Sequence, residues 1–316
     1  MDAELLKVPE DNPVTPEKVA LGWQLFYDSR LSVDNTISCA SCHVSSAGFA
    51  DPRRGSVGVG GAVGGRQAPP VINAAFSESQ FWDGRSPSLE DQALGPIQNP
   101  IEMAFTLEGV EERLNEIPGY RQQFQRVFGA DRISTDLVGK AIATFERVVL
   151  AGDSPWDRWE QERDTAAVSD AVRRGAELAR VKAGCTACHV PPNLTDAPFD
   201  LYHNIGVSMS NAEPDLGRHV VTAREGDQGA FKTPTLRNVA ETAPYMHDGS
   251  MATLAEVLDF YDRGGEPNPW LDQKMNPLGL TDQEKDDLLA FLESLTGEVP
   301  KWAGRAPPLP PAQSEG

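Results

Sequence analysis

Two short stretches hold the residues best suited to chemistry. "SCASCH" places Cys39, Cys42 and His43 in the order Cys-x-x-Cys-His, and "CTACH" repeats that order with Cys185, Cys188 and His189. These four are all the cysteines of the chain. Paired cysteines serve zinc binding, dithiol redox chemistry or covalent haem attachment. A zinc ribbon keeps its pairs about 15–20 residues apart, whereas these pairs are 146 residues apart and each carries its own His. A thioredoxin-type pair needs no following His and sits in a strand–helix unit. Haem attachment uses every residue: two thiols add across the two vinyl groups of one haem, and the adjacent imidazole ligates the iron. On a helix, the i, i+3, i+4 spacing presents all three on one face. The motifs therefore predict two covalently bound haems c.

The rest of the chain must position two such groups. Its 316 residues suffice for two ordinary domains with real cores. No apolar run approaches the roughly 18–20 residues of a membrane span, so no membrane insertion is expected. The formal charge of −19 argues against nucleic acid and anionic membranes as partners and leaves room for a neutral or basic protein. Haem c is normally attached outside the bacterial cytoplasmic membrane. The start "MDAELLKVPEDNPV" has neither a basic nor an apolar segment. The expectation is a periplasmic protein whose leader has been removed.

The pattern is mainly α. "TPEKVALGWQLFYDS" has Thr15 as N-cap and Pro16 at the first helical position. "TLAEVLDFYDRGG" opens on a Thr253-x-x-Glu256 capping box and ends on Gly264-Gly265, and "TDQEKDDLLAFLESLTG" opens on Thr281-x-x-Glu284. A helix precedes each haem motif, which suggests a duplicated cytochrome-c-like lobe. The polar stretch 160–170 is the expected boundary, giving domains 1–165 and 166–300. The Gly-rich stretch 53–70 reads as a surface loop over the first haem. Residues 301–316, ending "APPLPPAQSEG", read as a flexible tail.

With two haems placed, the chain resembles the bacterial di-haem cytochrome c peroxidase and MauG superfamily. The carrying stretches are "LSVDNTISCASCH", "INAAFSESQFWDGRSPSLEDQALGPIQNPIEM", "SPWDRW", "CTACH", "HNIG", "KTPTLRNVAETAPYMHDGS" and "TLAEVLDFYDRGG", in order over about residues 15–295. The resemblance implies two helical haem domains facing each other and reaction with hydrogen peroxide. The first haem would meet peroxide and the second would pass electrons. Trp82 falls where the family has a tryptophan bridging the haems. Gln92, Pro96 and Glu102 fall at the distal pocket of the first haem, with Glu102 as the acid–base group. A structural calcium is implied, with Thr242 and Pro244 at carbonyl positions and Gln67 where the family has Asn.

Three departures narrow the expectation. Peroxidases of this group carry a His in the glycine-rich loop that closes the first haem; here no His lies between His43 and His189. The first haem should then be open at its sixth position. His203, His219 and His247 read as hydrogen-bonding residues, for example to haem propionates. Second, fourteen residues after His247, where the peroxidases have a Met ligand to the second haem, this chain has Tyr261. Tyrosine at that place is the MauG pattern, and a hard phenolate favours ferric over ferrous iron. Third, where MauG has a surface Trp for drawing electrons from its protein substrate, this chain has Ala183. Electrons must enter elsewhere, with Trp156 and Trp159 as candidates or as packing between lobes. The expected function is a MauG-like enzyme that uses hydrogen peroxide to reach a high-valent di-haem state and oxidises a protein partner at tryptophan. The alternative is a peroxide-reducing cytochrome c peroxidase fed by a small electron-donor protein.

Overall fold

The structure, a computed structural model, describes residues 3–312. The first lobe is built on α1 (Pro16–Tyr27), α2 (Cys39–Cys42), α3 (Leu89–Gln98), α4 (Leu107–Asn115), α5 (Pro118–Phe128) and α6 (Thr135–Glu146). Helix α1 starts where the sequence places it: the Thr15 side chain accepts from the Lys18 N–H, and Pro16 occupies the first turn. Its Leu21, Leu25 and Phe26 are fully buried with Ile142 and Phe145 of α6 in one core. The crossing is close because Gly22 has no side chain: a Cβ there would stand 1.9 Å from the carbonyl oxygen of Ala141.

The second lobe uses the same device. It comprises α7 (Pro155–Glu160), α8 (Asp170–Arg180), α9 (His219–Thr222), α10 (Leu254–Asp262) and α11 (Asp282–Glu293). A Cβ on Gly175 of α8 would stand 2.0 Å from the Asp287 carbonyl oxygen of α11. Capping boxes start both α10 and α11 at the predicted threonines. The core holds Ala176, Leu258, Leu288, Phe291 and Leu295, and also Trp156 of α7. Asp157 of α7 forms a two-pronged ion pair with the buried Arg237 at 2.7 and 2.8 Å. Helix α7 is thus built into the second lobe although it precedes the polar stretch taken as the boundary.

The tail differs from its expectation over residues 301–312. Composition suggested looseness, but Ala303 is fully buried and Trp302 packs edge-on against Trp23 at 5.3 Å. Carbonyl oxygens of Ala303, Arg305, Pro308 and Pro310 accept hydrogen bonds from Tyr27, Trp23, Gln24 and Arg30. Proline-rich chain has little conformational entropy to lose and a row of free carbonyls, so it lies down well on a helix carrying donors. Residues 313–316 lie outside the described residues. Deleting residues 301–312 should uncover this face of α1; a loss of about 2–3 kcal/mol would lower Tm by roughly 3–5 °C, measured by circular dichroism of matched haem-loaded samples. An unchanged Tm would show the strap to be passive.

A two-stranded antiparallel sheet joins the lobes, β1 (Tyr202–His203) with β2 (Phe231–Lys232), in the register Tyr202 to Lys232. The Lys232 N–H donates to the carbonyl oxygen of Trp82 at 2.8 Å. The sheet thereby fixes a first-lobe tryptophan against the second lobe.

Candidate active site

The histidine of each Cys-x-x-Cys-His unit lines a cavity of its own. His43 lines one with about 1130 Å³ of empty space including its mouth, and Cys185, Cys188 and His189 line another of about 1410 Å³. The His43 Nδ1 lies 3.1 Å from the Phe49 carbonyl oxygen, and the His189 Nδ1 lies 3.2 Å from that of Leu194. A carbonyl only accepts, so each Nδ1 carries the proton and each Nε2 is left bare for a metal. Burial lowers both imidazole pKa values, which keeps the rings neutral as ligands require. Neutral, oriented imidazoles beside paired thiols and large cavities fit two covalent haems.

The first cavity also receives Gln92 and Pro96 from α3 and Glu102 from the following loop. Ser88 caps α3 by accepting from the Asp91 N–H, and Gln92 and Pro96 then share a face one turn apart. The Gly-rich segment folds over Glu102: the Val59 N–H donates to the Glu102 carbonyl oxygen at 2.8 Å, and a Cβ on Gly58 would stand 2.2 Å from the Ile101 carbonyl oxygen. Burial pushes the Glu102 carboxyl pKa up, against the pull of Asn99 and Arg85. Among the described residues, His43 is the only histidine lining this cavity. A second acid there, Glu146, was not singled out from sequence; burial raises its pKa to about 8. It is masked in sequence by its place on a helix that reads as core.

Leu254, Val257, Leu258 and Tyr261 of α10 all line the second cavity. Burial, reinforced by the Cys185 and Cys188 sulfurs, pushes the Tyr261 phenol pKa well up. A phenol so placed ionises only if a cation takes the proton's place, as a ferric iron would. Met246 and Met275 line the same cavity. Beside it the His203 ring is held between two carboxylates, Asp196 at 2.7 Å and Asp272 at 2.5 Å. These pairs, that with Asp196 foremost, raise its pKa to about 10. Its partners are therefore protein carboxylates, where the sequence suggested propionates. Cys188, Asp196 and His203 bring ligand atoms within 4.8 Å of one another, but the Cys188 sulfur is committed to haem in its motif. His219 bonds the Arg224 carbonyl oxygen, and His247 stacks on Phe231 at 3.7 Å.

Trp82, Lys232, Thr233 and Pro234 line both cavities and so form the wall between them. The Trp82 indole N–H donates to the Gln67 carbonyl oxygen at 2.8 Å. Gln67 is buried; its N–H donates to the His247 carbonyl oxygen and its Nε2 to that of Asp51. The Thr242 hydroxyl donates to the Val239 carbonyl oxygen, and the Ala243–Pro244 bond is cis. The Gln67 amide oxygen and the Thr242 and Pro244 carbonyls are uncharged oxygen donors, the ligand type that calcium accepts. Trp156 is 2% exposed and packs on Phe291, so it offers no surface terminus for electrons; Trp159 packs against the same core. Ala183 also lines the second cavity.

Comparison with known proteins agrees with this arrangement. The family model for di-haem cytochrome c peroxidase matches residues 16–165, and that for cytochrome c matches residues 172–296. The chain is 44% identical over 296 residues to the methylamine utilization protein MauG of Methylorubrum extorquens, covering 92% of this chain and 81% of that one. It is 38% identical over 307 residues to the cytochrome c551 peroxidase of Nitrosomonas europaea, covering 96% and 87%. A crystal structure of a MauG-like protein associated with microbial copper homeostasis superposes with a TM-score of 0.88 at 34% identity, over 95% of this chain and 96% of that one. With both haem sites and the shared tryptophan wall in place, this chain belongs to the di-haem cytochrome c peroxidase and MauG family, haem oxidoreductases that use hydrogen peroxide.

Proposed function

We propose that this protein is a MauG-like enzyme of the periplasm, which uses peroxide to oxidise its haem pair by two electrons and then oxidises a protein partner at tryptophan. The observation that carries this reading is Tyr261 in the second cavity, at the end of the α10 face that lines it. Bound haem supplies the iron that peroxide oxidises. The residues do the rest. Glu102, buried and with a raised pKa, takes a proton from one peroxide oxygen and returns it to the other. Gln92 and Pro96 shape the space above it. Trp82 joins the two sites so that the oxidising equivalents are shared. Tyr261, as phenolate, favours the oxidised second haem and discourages its ferrous form. Calcium at Gln67, Thr242 and Pro244 would brace the segment that holds Trp82. The relatives' names point to partners in methylamine utilisation or copper homeostasis.

A second reading, peroxide scavenging with electrons from a small donor protein, is favoured by Met246 and Met275 in the second cavity. Electron paramagnetic resonance of the protein as isolated separates the two. The first reading expects one high-spin ferric haem, because among the described residues no histidine but His43 lines the first cavity, beside one low-spin haem ligated by His and tyrosinate. Methionine ligation at the second haem would move the assignment to the scavenging peroxidase.

A further inference from the structure

A hydrogen-bonded path runs from the wall between the cavities to the surface. Lys232, in that wall, donates from Nζ to the Ser79 carbonyl oxygen at 2.8 Å. The Ser79 hydroxyl lies 2.5 Å from the Tyr202 hydroxyl, which donates to Asp200 Oδ1 at 2.6 Å. Tyr202 is paired in the sheet with Lys232, whose own N–H donates to the Trp82 carbonyl oxygen. Its hydroxyl also rests on Gly84, two residues from Trp82: a Cβ there would stand 1.8 Å from that oxygen. The Arg218 guanidinium covers the Tyr202 ring at 4.2 Å and donates to the Asp83 and Gly84 carbonyl oxygens, fixing the ring against the Trp82 segment. Outside, Asp200 is exposed, and Phe199 and Leu201 are 57% and 47% exposed.

Oxidising a phenol is easiest when its proton has an acceptor ready. Tyr27 and Tyr245 donate to backbone carbonyls, which do not take protons. Tyr120 donates to Asp28 but is fully buried in the first core, and Tyr261 faces the second cavity. Tyr202 alone among the tyrosines combines a carboxylate partner, a place at the surface and a connection to the bridge.

We propose that Tyr202 is the redox relay by which electrons from an aromatic side chain of the protein partner enter the Trp82 bridge, with Asp200 holding the phenolic proton. This rests on the reading that peroxide oxidises the haem pair and a partner re-reduces it. Peroxide takes two electrons from the pair and, with two protons from solvent, leaves as two waters; the two-electron oxidation of the partner returns two protons to solvent. Tyr202 passes one electron inward through the Trp82 segment as its proton moves to Asp200 Oδ1. The neutral tyrosyl then takes one electron from the partner's aromatic ring and recovers its proton from Asp200. Two such passes return the haem pair to its resting state. The relay stands in for the surface tryptophan that Ala183 replaces.

The test uses the haem-loaded protein with peroxide and no partner. Electron paramagnetic resonance should show a radical that narrows when tyrosine is ring-deuterated and is lost in Tyr202→Phe, while the optical reaction of the haems with peroxide is unchanged. Asp200→Asn keeps the phenol but removes its proton acceptor, so radical formation should slow by roughly 10²-fold, the scale of a lost general base. A competing exit is the aromatic ladder from Trp302 through Phe145 and Phe26 to His43, with centroid spacings of 6.0, 5.0 and 6.2 Å. A signal that survives Tyr202→Phe, or that Trp302→Phe abolishes instead, would overturn the relay. Normal radical kinetics in Asp200→Asn would remove the proton-acceptor role and overturn the proposal as stated. If peroxide fails to change the haem spectrum of the wild type, the functional reading itself falls, and the optical trace distinguishes that case.

Discussion

Replacing Tyr261 by His should leave both haems bound and the protein reactive with peroxide at the first haem, yet abolish oxidation of the partner. Imidazole fits the phenol's place and can still ligate iron, so covalent loading at Cys185 and Cys188 is unaffected. What changes is charge. A neutral donor stabilises the ferric and more oxidised states less than an anionic phenolate does. Every ~59 mV by which the one-electron potential of the second haem rises costs about tenfold in the equilibrium for withdrawing an electron there. The oxidising equivalents then remain at the first haem and are lost to side reactions before a partner is reached. Potentiometry should show the second haem easier to reduce, and mass spectrometry should find the partner unmodified. A variant that still modifies its partner at the wild-type rate shows that the phenolate is dispensable. The same substitution tests the methionines: if Met246 or Met275 is the native ligand, Tyr261→His alters neither potential nor spectrum.

The second large effect is expected at Glu102. Glu102→Gln preserves size and polarity but can neither take nor return a proton, so peroxide should still enter the first cavity while the observed reaction slows by ~10²–10⁴-fold. The sign of the pH dependence follows from burial. The carboxylate is the working base, and it is populated above its pKa. Burial raises that pKa above the ordinary glutamate value, so the wild-type rate should fall on the acid side at a higher pH than an exposed glutamate would give. The Gln variant should lose that limb of the profile. Stopped-flow traces across pH would show both effects; a rate within a few-fold of wild type at all pH values removes Glu102 from the mechanism. Glu146 is the control carboxyl. It lines the same cavity with a pKa near 8, and Glu146→Gln should leave the acid limb in place.

These effects depend on residues far apart in sequence. The chain order alone determined the haem chemistry, because a Cys-x-x-Cys-His unit works within one helical turn and no tertiary partner changes which atoms it presents. It also determined the helix starts at Thr15, Thr253 and Thr281, since a cap is a bond between residues three apart. The absence of histidine between His43 and His189 was equally plain, and among the described residues His43 is the only histidine lining the first cavity. Composition, by contrast, misjudged residues 301–312 of the tail, and it left the packing of α7 unread. Trp302 and Trp156 are placed by what they pack against, Trp23 in one lobe and Phe291 in the other, and such pairings leave no trace in local composition.

The tertiary structure decided how the two haem sites communicate. Trp82 could be marked from the family resemblance, but the wall it shares with Lys232, Thr233 and Pro234 comes from folding, where β2 hydrogen-bonds to the Trp82 peptide. The carboxylates around His203 come from Asp196 and Asp272, 7 and 69 residues away. The link from Tyr202 to Ser79 spans 123 residues. Covalent attachment and capping are short-range and were legible. Electron and proton paths run through space between segments that only folding brings together, so they had to await the fold.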